Sequence, residues 1–479
     1  MGKLSHLKPE NVFKYFEEIS SIGRGSGNMD AISRYCTEFA QKNSLRYIID
    51  DSKNVIIFKP ASKGYENASP VILQGHLDMV CQKDNDCSID FEKDGLDLYI
   101  DDSFIKAKGT TLGADNGIAV AYMLAILSDN SLCHPPLECV FTTDEEVGML
   151  GALKLDTSVL KGRKMINVDG GGEKTVLVSC AGGADFSAAM PIKHKEVRGS
   201  RIDIILSGLA GGHSGTQINS GGRNANAFMA RILKNVYAGQ KFEIIELNGG
   251  DKTNVITTSC KVSVVTGNPE NFEDELYKEF EKAEKLVIDG NPDIKLEIKR
   301  GNESDYSVME NGMDLICCIE SLPDGVIAMS KDMEGLVETS ANAGIVKTTE
   351  NRAEVILSVR SSINSEMQRV LGDVSLISEK YGFTHSTSGM YPPWELKKDS
   401  PLQRLYGQCA KEVTGNMPKF CAVHAGLECG VFSSAIPSLY CISVGPNMYD
   451  IQSTSERLDI NSASRVYEII SEVLKNCND

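Results

Sequence analysis

No apolar run in this sequence is long enough to cross a bilayer; the longest helical candidate, Gly117 to Leu127, is interrupted by Tyr122 and flanked by polar residues. Behind Met1 no charged stretch leads into an apolar one, so no secretory leader is expected and the protein is read as soluble and cytoplasmic. The 14 cysteines form neither CxxC pairs nor the clustered spacing of a disulfide scaffold. That argues against a zinc ribbon and for free thiols in a reducing compartment. Basic side chains are in deficit, 49 against 66 acidic ones, and the net charge of -17 repels phosphate backbones and anionic lipid. Neither a nucleic acid nor a membrane surface is therefore expected as a partner, which leaves small molecules and metal ions. Repeats and low-complexity tracts are also absent.

A length of 479 residues exceeds one ordinary core and predicts two or three domains. Helical spacing opens the chain, with Val12, Phe13, Phe16 and Ile19, then Ile32, Tyr35, Cys36 and Phe39, on either side of a break at Gly23 to Gly27. Short apolar runs follow at Asn54 to Phe58, Pro70 to Gln74, Leu137 to Thr142 and Lys164 to Val168, with a helix at Ile118 to Leu127 between them. Apolar strands alternating with helices predict an α/β fold with a mostly parallel, doubly wound sheet, whose ligands bind beyond the carboxyl ends of its strands. After Gly183 the pattern changes to alternating strands such as Arg201 to Leu206 and Lys261 to Val265, with a long helix from Asn271 to Ile288. This reads as an inserted α+β domain over 184–394, ending at Tyr391 to Trp394, between the two parts of the first domain at 1–183 and 395–479.

The expected strand ends carry the chemistry. His76 and Asp78 flank Leu77, a spacing that lets both polar side chains face one site, where a carboxylate fixes the imidazole tautomer for a metal. Asp115 lies at the start of the apolar helix, where an N-cap role alone would account for it. Asp144, Glu145 and Glu146 follow the third strand and Asp169 the fourth; taken singly, a solvated acidic turn and an Asp-Gly turn would explain them. Four element ends offering His, Asp or Glu on one rim favour a metal site, and one imidazole with several acids suits two divalent ions, zinc or manganese. Within the inserted domain, His213 between glycines, Asn254 after Asp251 to Thr253, and Arg360 in Ser358 to Ser362 stand out only in combination with that site.

The ordered motifs QGHLDMV, GTTLGADNGI, TTDEEVGMLGA, INVDGG, GGHSG, VRSS, YPPW and HAGLECG resemble, from end to end, the co-catalytic metallopeptidases that include carboxypeptidase G, aminoacylase and the aminoacyl-histidine dipeptidases. The spelling of GADNG and HAGLECG resembles the dipeptidase branch. The resemblance implies a catalytic domain interrupted by a lid. It implies one ion on His76, Asp115 and Asp169, and a second on Asp115, Glu146 and a C-terminal histidine. By the same resemblance Asp78 orients His76, and Glu145 is the general base for a water at the metal centre. His213 donates to the oxyanion, Asn254 and Arg360 receive the substrate backbone or its terminal carboxylate, and the loop with His424 and Gly426 lines the substrate site.

One position departs from the family pattern. A stretch resembling "DVHTPDERL" supplies the closing histidine in the dipeptidase branch, whereas Asp450 to Leu458 retains the flanks and has Gln452 in its place. An amide oxygen binds zinc poorly beside imidazole, so the second ion is expected to be held weakly or to be a harder one. The expected function is a metal-dependent dipeptidase acting on unblocked Xaa-His or similar small dipeptides. A deacylase on another small amide, and a non-catalytic peptide-binding homologue with an impaired metal site, stand as alternatives. The sequence leaves monomer and homodimer both open.

Overall fold

The computed structural model describes residues 2–287, 290–291 and 293–478. The chain forms two compact units, the first of residues 1–180, 396–422 and 427–479, the second of 181–395 and 423–426. Two boundaries differ from the expected 183/184 and 394/395 by one to three residues. Residues 423–426, expected in the first domain, cluster with the second unit, because Ala181 N donates to Val423 O at 3.2 Å and His424 Nε2 meets Ser340 Oγ at 2.8 Å.

The first unit is built on an eight-stranded sheet in the order Arg46–Ile49, Val55–Lys59, Leu137–Thr142, Val71–His76, Lys164–Asn167, Tyr440–Ser443, Thr175–Cys180, Lys419–Val423. Its four central strands, Leu137–Thr142 to Tyr440–Ser443, are parallel, and antiparallel strands extend it on both sides. All six residues of Val71–His76 and of Leu137–Thr142 are buried, as expected of strands covered on both faces. The helix Ala114–Ser128 covers one face; it has no polar side, and an added Cβ on Gly75 would meet Ala119 at 2.5 Å, so only glycine permits this approach. On the opposite face lies the helix Glu428–Ala435, whose first residue reaches the side chains of Gln74 and Thr142. Helix ends follow local chemistry: Ser400 accepts from Gln403 N ahead of Pro401–Thr414, and Gly415 at φ 78° terminates it.

The second unit combines a five-stranded antiparallel sheet, in the order Gly325–Met329, Val337–Thr348, Arg352–Ser361, Gly182–Pro191, Thr384–Tyr391, with a closed four-stranded barrel. The barrel strands are His194–Ser207, Glu243–Asn248, Cys260–Thr266 and Lys295–Met309. Helices Ala225–Gly239, Gly312–Ser321 and Asn364–Lys380 pack with both into one apolar core that includes Phe186, Phe228 and Leu315. The helix expected from Asn271 begins earlier, as Pro269–Glu284, since Asn268 caps it and proline suits its first turn. Its expected end, Ile288, lies outside the described residues. No helix among the described residues is long and apolar enough to cross a membrane.

Candidate metal centre and active site

Three side chains from three different elements of the first unit converge. One ligand atom each of His76, Asp115 and Glu146 lie within 4.8 Å of one another. The His76 Nε2 atom is 3.3 Å from Asp115 Oδ1 and 4.0 Å from Glu145 Oε2, while its Nδ1 faces Asp78, 3.0 Å from the carbonyl oxygen and 3.4 Å from Oδ1. The carboxylate of Asp78 also accepts from Glu145 N at 3.0 Å and Glu146 N at 3.2 Å through its two oxygens, and Oδ2 from Ser26 Oγ at 2.8 Å. It thereby fixes the turn that carries the neighbouring acids. Asp169 stands outside the group of three but beside it, its Oδ1 accepting from Asn116 Nδ2 at 3.4 Å.

Asp115 is not an N-cap. Gly113 occupies that position at φ 64°, Asp115 itself is non-helical, and no side chain caps the helix. The orphan donors before the helix are satisfied by Glu456, which accepts from the backbone N–H groups of Leu112, Gly113, Ala114 and Asp115 at 2.9–3.4 Å. Buried Arg24 ties the same loop to the His76 strand end, donating to Gly113 O at 2.5 Å and Leu77 O at 3.0 Å. Asn116 completes the frame, accepting from His76 N at 3.1 Å and donating to Val168 O at 2.5 Å.

Electrostatics show what this frame lacks. Burial alone would depress the His76 ring, but Asp115 and Asp78 outweigh it and hold the ring well above its ordinary range. Burial would raise Asp78, yet the His76 ring and the donors around it hold the carboxyl down at about 2. Glu145, Glu146 and Asp169 are all pushed upward, first by burial and then by the negative charge of their neighbours. Glu146 Oε1 is buried without a hydrogen-bond partner. Crowded carboxylates with an orphaned oxygen and one imidazole are short of positive charge, and a divalent cation supplies it; the donor set fits the ions expected from the sequence.

In the second unit His213 Nδ1 accepts from Gly215 N at 3.2 Å and Thr216 N at 3.1 Å, which puts the ring proton on Nε2. Burial and nearby Arg360 lower its pKa, keeping the ring neutral. Arg360 is buried, donates to Tyr391 Oη at 2.8 Å, and leaves Nε unpartnered; the Asp185 carboxylate acts on it through its charge. His424 is buried against Ser340, and burial followed by Arg360 pushes it down to about 4. Asn254 is exposed, its carbonyl accepting from Ser214 N at 2.9 Å beside His213; Gly426 is half-buried in the loop after His424.

A family model described as Peptidase family M20/M25/M40 matches residues 72–476. The chain belongs to this family. The cytosol non-specific dipeptidase of Escherichia coli (strain K12) is 33% identical over 489 aligned positions, covering 99% of each chain. The crystal structure of an aminoacylhistidine dipeptidase from Vibrio alginolyticus matches with a TM-score of 0.91 and 33% identity, over 99% of this chain and 98% of that one. An aminopeptidase from Bacillus cereus, at 14% identity and a TM-score of 0.58 over 99% and 100% of the chains, shares the fold. This M20 chain is a peptidase.

Two features of this peptidase escape sequence reasoning. Gln452 reaches the site with its amide nitrogen, donating to Glu146 Oε2 at 2.7 Å and standing 3.4 Å from Asp115 Oδ2. It is exposed and sits at φ 62°, in a turn where Asp450 is also left-handed at φ 51°. Glu428, Glu456 and Arg24 were not singled out. The motif HAGLECG contained Glu428, and an acid amid small and apolar residues was the available signal.

Proposed function

We propose that this M20 peptidase is a metal-dependent dipeptidase that hydrolyses unblocked Xaa-His or similar small dipeptides. The observation that carries the reading is the cluster of buried His76 with half-buried Asp115 and Glu146, and Glu145 at 4.0 Å from the imidazole. In this reading His76, Asp115 and Asp169 hold one ion, while Asp115 and Glu146 hold a second, weaker one; zinc fits the first best, and manganese is the harder alternative. When bound, the ions supply Lewis-acid polarisation of the peptide carbonyl and lower the pKa of water.

The remaining steps belong to the chain. Nδ1 of His76 is engaged by Asp78, so Nε2 is the nitrogen presented to the cluster. Glu145 takes the proton of the attacking water and passes it to the leaving amine. His213, its proton on Nε2, is the donor to the oxyanion. Arg360, whose buried Nε lacks a partner, receives the terminal carboxylate of the dipeptide, and Asn254, His424 and Gly426 bound the substrate. A small peptide is thus the partner. No observation favours the deacylase or the non-catalytic reading.

The test is hydrolysis of an Xaa-His panel, including β-alanyl-histidine, by chelator-stripped protein with zinc or manganese restored, and Glu145→Ala as the contamination control. Metal-dependent turnover absent from the control supports the reading. Equal turnover in the control, or none with either ion, refutes it.

A further inference from the structure

Glu428 is fully buried at the start of Glu428–Ala435, and its surroundings are unusual for a carboxylate. Its Oε2 accepts from Gln74 Nε2 at 2.5 Å and Thr142 Oγ1 at 2.7 Å; Gln74 Oε1 accepts in turn from Asn167 Nδ2 at 2.6 Å. Its Oε1 is buried without a hydrogen-bond partner, and the groups that act most strongly on Glu428 include no Lys or Arg. The partners are not arbitrary. Gln74, Thr142 and Asn167 lie on three neighbouring parallel strands, two residues upstream of His76, Asp144 and Asp169. Gln74 and His76 are two apart on one strand and share a face, so this polar layer lies beneath the imidazole of the metal centre, while the neighbouring strands end at Thr142 and Asn167, just short of their acids. Among charged groups His76 acts most strongly on Glu428, and Glu428 acts in turn on Glu145 and Asp169.

A buried carboxylate that meets only neutral donors is costly, by several kcal/mol in order of magnitude, unless a cation compensates it; burial accordingly pushes Glu428 up to about 7, and a cation at the centre favours its ionised form. Hydrogen bonding alone does not call for an acid here, since a glutamine oxygen would accept from Gln74 and Thr142 equally well. We propose that Glu428 is a positioning residue whose negative charge, one layer beneath the ligands, strengthens cation binding at the centre while its Oε2 holds the ligand strands in register. This rests on the metal-dependent reading above and adds a charge that the ligand set does not include.

The experiment measures zinc affinity by competition with a chromophoric chelator, on the full-length protein and on Glu428→Gln and Glu428→Asp, with melting of the stripped proteins by circular dichroism to monitor the fold. Loss of charge in Glu428→Gln weakens zinc about 10–100-fold, the range for outer carboxylates of metal sites, without lowering the melting temperature. Glu428→Asp keeps the charge and shortens the reach, and holds affinity within a few-fold of the parent. Affinity lost in Glu428→Asp and kept in Glu428→Gln identifies a hydrogen-bonding role and overturns the proposal. If Glu428→Gln is not recovered folded, the aspartate variant decides alone, a large loss of zinc affinity counting against. A parent protein that binds no zinc defeats the metal reading itself, an outcome separate from a parent that binds and a glutamine variant that binds equally.

Discussion

Replacing Gln452 by histidine tests the weakest element of the metal centre. In the parent protein the amide donates to Glu146 at 2.7 Å, and this charge-assisted bond must break before the carboxylate turns its lone pairs to an ion. Bonds of that kind contribute about 1.5–3 kcal/mol, so the amide lowers affinity at the second position by about 10–100-fold even before its poverty as a zinc ligand is counted. Gln452→His removes that competition and adds an imidazole nitrogen, and the exposed turn around Gln452 leaves space for the ring. The expected outcome, read by equilibrium dialysis with elemental analysis over a series of free-zinc concentrations, is one tight and one weak zinc per parent chain. In the variant the weak site tightens by at least about tenfold. Gln452→Ala, which removes the competing donor without adding a ligand, falls between the two. Two zinc ions bound with equal affinity by the parent, or a second site indifferent to the histidine, would show that Gln452 does not limit the centre.

Other outcomes follow from the same geometry. Glu456→Ala leaves four backbone donors and the nearby Arg24 without their carboxylate and costs about 3–5 kcal/mol in urea unfolding; a loss under 1 kcal/mol contradicts the anchoring role. Arg360→Met raises KM for free dipeptides about tenfold or more and abolishes their preference over C-terminally amidated analogues in a competition assay; an unchanged preference places carboxylate recognition elsewhere. His424 is held down at about 4 against an ordinary 6.5, so the unfolded chain binds the extra proton between those values. Its share of stability is complete above pH 6.5 and is lost as pH falls towards 4, by about 3 kcal/mol at most. Denaturation at pH 7 and 5 shows this slope in the parent and a shallower one in His424→Gln; equal slopes refute it.

The strands and the rim were legible because three of the four central strands are short apolar runs leading into an acid or imidazole, and Leu137–Thr142 falls on its expected residues. Side-chain period two also led to the expectation that His76 and Asp78 face one site, and the two side chains lie 3.4 Å apart. What stayed hidden was support that arises only between distant segments. Glu456 grips backbone more than 340 residues upstream, Arg24 ties two loops, and Glu428 meets neutral side chains whose own spacing says nothing of a metal. The entry to the Asp115 helix was hidden for a similar reason, since the positive-φ Gly113 sets it and a far carboxylate does the capping. Alternation announced strands in the insertion but not the closure of four of them into a barrel, which depends on pairing.

The short excursion of residues 423–426 into the second unit bears on how such proteins can be recombined. A lid exchanged between relatives by cutting at 180/181 and 395/396 would arrive without His424, and Ser340 would lose the ring it meets at 2.8 Å. A faithful transplant therefore needs two inserts and four junctions. Two of those junctions flank a four-residue stitch, and on its far side the chain runs within two residues to Glu428 beneath the metal centre.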